Sequence, residues 1–206
     1  MSEAITLALY FLICRETGEP PRFPGNEFFY NCPDDNSYAP SLADLTVWAS
    51  TTPHAANEAF NHVNGDTFVW RYLFPRLGAY FGVEVPEAVF PKDPESDSKD
   101  SAAPGTQMAH TFKMTEWAAE PSPSKRSAWE RICAKYGGNP EAFDWGTWAF
   151  FDWGVGKAWP TLSSVSKARA FGWSRYDDTF EGLVETFRGF ENAGVLPRRR
   201  VLLLGG

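Results

Sequence analysis

Ser2-Glu3-Ala4-Ile5-Thr6-Leu7-Ala8-Leu9-Tyr10-Phe11-Leu12-Ile13-Cys14-Arg15-Glu16-Thr17-Gly18 is the stretch that decides how this chain folds. Ser2-Glu3 is a helix-start signal, and Gly18, followed by Glu19-Pro20-Pro21, is a stop. Between them Ile5, Leu7, Ala8, Leu9, Phe11, Leu12 and Ile13 surround most of the helix. A helix without a polar stripe has to be covered on more than one side. The apolar run is too short to span a bilayer, has Glu3 and no Lys or Arg before it, and meets Arg15-Glu16 at once. It therefore reads as a buried helix and neither a membrane span nor a signal peptide.

The 206 residues, 43% hydrophobic and 16% aromatic, suffice for one sizeable core or two small ones. A net charge of −7 argues against nucleic acid or an anionic membrane as partner, since either calls for a basic face. Arg198-Arg199-Arg200 reads as a solvated tail. Cys14, Cys32 and Cys133 are odd in number and show no C-x-x-C spacing, a pattern that fits a reducing compartment. A cytoplasmic protein is expected.

Outward from the first helix, Arg22-Phe23 is strand-like and enters a Pro24-Gly25 turn. Ser41 to Trp48 reads as a short helix capped by Ser41, with Asp44 completing a capping box. Ala59 to Val63 is a strand candidate. Thr67 caps a helix over 68–81 that Pro75 should kink or split. Residues 86–110 are rich in proline and charge and read as a mobile loop. Ser127 to Tyr136 and Asp178 to Ala193 are helical by their spacing, and no internal repeat is present.

A second dense stretch is Phe143-Asp144-Trp145-Gly146-Thr147-Trp148-Ala149-Phe150-Phe151-Asp152-Trp153, most simply a helix. With Trp159 it places seven aromatic side chains within seventeen residues. Such a run either fills core or lines a cavity for an apolar ligand. Asp152, flanked by Phe151 and Trp153, would have a raised pKa if buried and unpaired, as a general acid or base needs; it equally could face water or pair with Lys157. Tyr30 offers a phenolic hydroxyl to a ligand carbonyl or to solvent. Asp34 and Asp35 read as turn residues. His54, His62 and His110 are scattered without ligand spacing, so no metal is expected. His62 is expected to share a sheet face with Phe60. No G-x-S-x-G elbow occurs.

The order of landmarks resembles the C-terminal, substrate-domain half of the progesterone 5β-reductase/iridoid synthase-like enzymes, which are atypical extended short-chain dehydrogenases. The resemblance rests on Leu9-Tyr10 with Ile13-Cys14-Arg15, Arg22-Phe23-Pro24-Gly25, Val47-Trp48-Ala49, Asn57 to Asn61, Asn64 to Trp70, Phe81 to Glu84, Ser164 to Lys167 with Phe171-Gly172-Trp173, and Val195-Leu196-Pro197. It implies an α+β, mainly helical substrate-binding domain over residues 1–197 with a few short strands, no complete Rossmann sheet, and a tail at 198–206. It also implies that Phe151 faces a ligand with Trp148, Phe150 and Trp153 beside it, and that Phe28, Phe29 and Tyr30 sit at the pocket mouth.

In those enzymes the Gly-rich dinucleotide loop and the catalytic tyrosine and lysine lie upstream of the point matching Met1. Gly154-Val155-Gly156 lacks the third glycine and the βαβ context of such a loop, so no nucleotide cofactor is expected. The reading that follows is a cofactor-independent cyclase or isomerase, of Diels–Alder type for example, acting on a terpenoid or polyketide intermediate with Asp152 and Tyr30 as catalytic groups. The alternatives are a truncated or partner-dependent NAD(P)H enone reductase and a non-catalytic carrier. Without a cofactor half to pack against, Leu7, Leu9, Phe11 and Leu12 would leave an apolar face, and a homodimer through helix 2–18 is expected to cover it.

Overall fold

In the computed structural model, residues 2–90, 110–121 and 124–199 are described. Helix α1 (Glu3–Thr17) begins where Ser2 Oγ accepts the Ile5 amide and ends at Gly18, whose φ of 71° is the left-handed conformation a glycine adopts without strain. Every side chain from Ala4 to Cys14 is buried. The chain then passes through α2 (Glu27–Asn31), β1 (Pro33–Asp34), α3 (Ala39–Thr51), β2 (Phe68–Val69) and α4 (Trp70–Phe81). After residue 110 come α5 (Met114–Ala118), α6 (Lys125–Tyr136), a 3-10 turn at Pro140–Trp145, α7 (Trp148–Val155), α8 (Ser166–Ala170) and α9 (Thr179–Asn192). β1 and β2 pair antiparallel, Pro33 with Val69 and Asp34 with Phe68, as a two-stranded ribbon. The fold is mainly helical, without a Rossmann sheet among the described residues.

α1 is the axle. α4, α6, α7 and α9 all pack on it, and aromatic rings join them. Phe11 lies 4.9 Å from Phe74 and 5.8 Å from Phe81, and Phe81 lies 4.9 Å from Phe187 of α9. Tyr10 and Thr6 on α1 find internal partners, as burial demands. The Tyr10 hydroxyl donates to the Arg22 carbonyl at 2.9 Å and accepts the Arg22 amide at 2.8 Å. Thr6 Oγ1 accepts the Thr147 amide at 2.9 Å and so ties α1 to the start of α7.

Several expectations need correction. The apolar face of residues 2–18 is not exposed, since Leu7, Leu9 and Phe11 are at 0% and Leu12 at 2%. The face expected to drive a homodimer is covered within the chain itself. Arg22-Phe23 and Ala59 to Val63 form no strand, because side chains take the hydrogen bonds a ladder would: Tyr10 holds Arg22, and Ser37 Oγ donates to the His62 carbonyl. His62 instead has its imidazole between Ser37 and Ser41. α3 starts at Ala39, with Pro40 in its first turn, so Ser41 is inside the helix and no side chain caps it. Pro75 lies within α4 without ending it. Of the expected loop, 86–90 is irregular and 91–109 lies outside the described residues, as does 200–206 of the tail.

The dependence on α1 is measurable. Phe11→Ala should lower unfolding free energy by about 3–5 kcal/mol in urea titrations, the cost of a large cavity. Val47→Ala, at a side chain 62% exposed on α3, should change it by less than about 0.5 kcal/mol.

Candidate functional site

The aromatic stretch is broken at Gly146-Thr147. A Cβ at Gly146 would lie 2.5 Å from the Trp148 indole, so the indole folds back over a residue that has to be glycine, and α7 starts afresh at Trp148. In α7, Phe151, Asp152 and Val155 turn inward. Phe150 and Trp153, three residues apart and hence neighbours on one helix face, turn outward with ring centroids 5.6 Å apart. The end of α7 is held by the Pro24-Gly25-Asn26 turn. The Asn26 amide donates to the Val155 carbonyl, Asn26 Nδ2 to the Lys157 carbonyl, and Asn26 Oδ1 caps α2 by accepting the Phe29 amide. A Cβ on Gly25 would meet the Val155 carbonyl oxygen at 2.6 Å. This turn fixes Phe29 against α7.

Between α7, α2 and the β1–β2 ribbon lies a cavity of about 290 Å³. Phe29, Trp70 and Phe151 are its buried apolar part, with Trp70 set edge-on to Phe151 at 5.7 Å. Phe150 and Trp153, 42% and 53% exposed, form its rim. Its polar lining is Glu3, Asp34, Asp35, Lys157, Thr161 and Ser163. Lys157 Nζ donates to Thr161 Oγ1 at 2.6 Å and lies 4.8 Å from the Phe29 ring centre. Asp34 accepts from Trp70 Nε1 at 3.2 Å, and burial pushes its carboxyl up from the ordinary range. Glu3 is raised furthest. Burial first, then the nearby Asp34 charge, carries it to about 7, while Asn36 and Lys157 oppose the rise. Its Oε1 is buried without a hydrogen-bond partner.

The expected site residues divide. Phe29, Phe150, Phe151 and Trp153 converge on this cavity. Trp148 packs instead on Trp117 and Phe143. Phe28 borders a shallow depression with Cys32 and Pro160, and the Tyr30 ring lies against Phe23 and Phe90. Asp152 is buried but not unpaired. Its carboxylate accepts the amides of Met114 and Thr115 at 2.7 and 3.0 Å and the Thr115 hydroxyl at 2.7 Å, which caps α5. It forms no ion pair with Lys157 and stands outside the cavity lining. Glu3 and Asp34 are not among the site residues expected from the sequence: Glu3, directly ahead of an all-apolar helix, reads as a helix start, and Asp34 reads as a turn residue.

No group of three His, Cys, Asp or Glu among the described residues is placed to hold a metal. The described residues form no Rossmann βαβ unit. The described strands form only an antiparallel ribbon. Gly156 lies past the C-terminal end of α7, where a Cβ would strike His110 at 2.3 Å. That is tight packing at a helix C-terminus, unlike the glycine loop that opens a helix beneath a pyrophosphate.

No family model matches the sequence. Among curated proteins it is 38% identical over 201 residues to the short chain dehydrogenase gsfE of Penicillium aethiopicum, covering 96% of this chain and 50% of that protein. It is 28% identical over 193 residues to the (S)-8-oxocitronellyl enol synthase CYC2 of Camptotheca acuminata, covering 93% and 44%. These matches support kinship with the short-chain dehydrogenase-like enzymes that include the iridoid synthases. A third, the 3-oxo-Delta(4,5)-steroid 5-beta-reductase of Arabidopsis thaliana, is 39% identical over 79 residues, 38% of this chain and 20% of that one. The chain spans about half the length of the curated relatives it matches over most of its own. No helix among the described residues is long and apolar enough to cross a membrane.

Glu3 makes stability depend on pH with a definite sign. Its folded pKa of about 7 exceeds its ordinary 4.5, so its contribution is fully present below about 4.5 and is lost as pH rises through 7. Glu3→Gln should therefore match the parent near pH 4.5 and exceed it at pH 8 by up to about 3 kcal/mol, at 1.36 kcal/mol per pH unit. Thermal melts at the two pH values check this. Asp152→Ala should cost about 2–3 kcal/mol at either pH by uncapping α5 and stranding two amides.

Proposed function

We propose that this chain binds an uncharged hydrophobic small molecule in the Phe29–Phe151–Trp153 cavity and promotes a cyclisation or isomerisation there without a nucleotide. The observation that carries this is the meeting of an aromatic wall with polar groups of raised pKa in one 290 Å³ space. Such a volume lies near the lower end of the roughly 300–1,000 Å³ usual for ligand sites. A terpenoid or polyketide intermediate of modest size suits it. A pericyclic closure of Diels–Alder type asks little more of a protein than a cavity that holds the reactive conformer, which lowers the barrier through orientation. A group that polarises a conjugated carbonyl adds to this where water is excluded.

A second reading is supported by the likeness to an enol synthase and a steroid reductase over part of their length. Under it the chain supplies the substrate pocket of an NAD(P)H-dependent enone reductase whose cofactor is held elsewhere. The third, a carrier, shares the cavity and omits the chemistry.

One experiment separates them. The purified chain is incubated with a panel of apolar conjugated trienones and dienones, with and without NADPH, and products are followed by mass spectrometry. The first reading expects isomeric products of unchanged mass, formed above background without nucleotide, and a loss of at least tenfold in rate with Phe151→Ala or Trp153→Ala. A gain of two mass units that requires NADPH supports the reductase, and tight binding with no conversion supports the carrier.

A further inference from the structure

Glu3 stands between two chambers. On one side is the aromatic cavity; on the other lies a second space of about 290 Å³ bordered by Asn36, Tyr38, Asn64 and Thr179. Glu3 and Phe150 are the two residues that line both. Among the described residues, Glu3 Oε1 is the buried side-chain oxygen that lacks a hydrogen-bond partner. Its other oxygen accepts only a long contact, 3.4 Å, from Asn36 Nδ2.

We propose that Glu3 is the polar anchor of the aromatic cavity, where its Oε1 hydroxyl donates a hydrogen bond to the carbonyl oxygen of an apolar ketone or enone held against Phe151 and Trp153. This rests on the reading of the cavity as a small-molecule site and adds the feature of the ligand that the site selects. An unpartnered buried oxygen is costly and gains most from a ligand that completes it.

The surroundings decide which form of Glu3 does so. Asp34 faces the cavity from the ribbon and Asp35 from the residue after it, and the Asp34 charge favours a neutral Glu3. Lys157 faces it from beyond α7, but its ammonium is engaged by Thr161 and lies near the Phe29 and Trp153 rings. α7 presents Phe150, and α9 presents Thr179, Leu183 and Thr186, all uncharged. Tyr38 is turned to Glu185, to which its hydroxyl donates at 2.6 Å. With its pKa lifted to about 7, the group is a protonated acid over most of the range below neutrality. A protonated carboxyl carries an O–H donor that a carboxylate lacks, and that donor recognises an acceptor such as a carbonyl. The same geometry lets it stabilise negative charge that develops on that oxygen, the role of a catalytic acid.

The test uses 2-acetylnaphthalene and its hydrocarbon counterpart 2-ethylnaphthalene, titrated into the whole chain and followed by tryptophan quenching at pH 6 and pH 8. Raising the pH from 6 to 8 takes a group of pKa about 7 from roughly nine-tenths to one-tenth protonated. The ketone should therefore bind close to tenfold more weakly at pH 8, while the hydrocarbon should bind equally at both. Glu3→Gln, whose amide still donates, should make ketone binding independent of pH; Glu3→Leu should erase the ketone's advantage over the hydrocarbon. Asp34→Asn should keep the dependence and move its midpoint to lower pH, because the charge that helps hold Glu3 neutral is gone. Hydrocarbon binding with no ketone preference, or a preference unchanged in both Glu3 variants, overturns the anchor alone. Failure of both naphthalenes to bind overturns the cavity reading as well.

Discussion

The burial of α1 is the constraint on which the rest depends. A helix that is apolar all round cannot sit at a surface, so the chain has to supply cover on every side, and α4, α6, α7 and α9 do so. Fully burying each large side chain from Leu7 to Ile13 contributes about 1.5–3 kcal/mol before entropy is counted. Cover on this scale leaves little freedom in the order of the surrounding helices. It also explains why Tyr10 and Thr6 on the helix are tied to backbone, at Arg22 and Thr147.

The site is a by-product of the same constraint. Where α1 begins, its apolar face gives way to Glu3, and the elements that cover the helix diverge around that first turn. α7 arrives from one side, fixed by Thr147 on Thr6 and by Asn26 on Val155. The β1–β2 ribbon arrives from the other, with Asp34 held by Trp70. The gap between them is lined by what those elements carry, which is aromatic from α7 and acidic from the ribbon. Packing a protein interior to uniform density would fill such a gap; here it remains open beside an acid whose oxygen lacks a partner.

Element type was legible in the sequence wherever hydrophobic spacing and punctuation agreed. α1, α6 and α9 carry a Ser or Asp cap, and a glycine stands at or just after the end of each, so their positions follow from local chemistry, although α6 starts at Lys125 under a Ser124 cap, two residues before the expected Ser127. The failures occur where a distant partner overrides the local pattern. Arg22 and Ala59 to Val63 have strand composition, yet no strand lies beside them, and side chains from elsewhere satisfy their backbone. Asp152 was legible as a buried acid but not as a cap, because its three donors come from residues 114 and 115, almost forty positions earlier. The aromatic wall was legible in Phe29, Phe150, Phe151 and Trp153. Its acid was not, because Glu3 and Trp153 are 150 residues apart and no periodicity links them.

The polar lining restricts what this wall can hold. Three carboxyls face one ammonium, and an anionic ligand would add repulsion from Asp34 and Asp35 to the cost of leaving water. A cationic ligand would be repelled by Lys157 and drawn by Asp34 and Asp35, while below neutrality Glu3 carries no charge to attract it. An uncharged molecule avoids the anion's penalty and gains the apolar contact of Phe29, Trp70 and Phe151. The same lining argues against a phosphate-bearing group as occupant, since phosphate favours basic side chains or free backbone amides and the cavity offers a single lysine already engaged with Thr161. Apolar area thus favours an uncharged occupant, and the charge of the lining weighs against an anionic one.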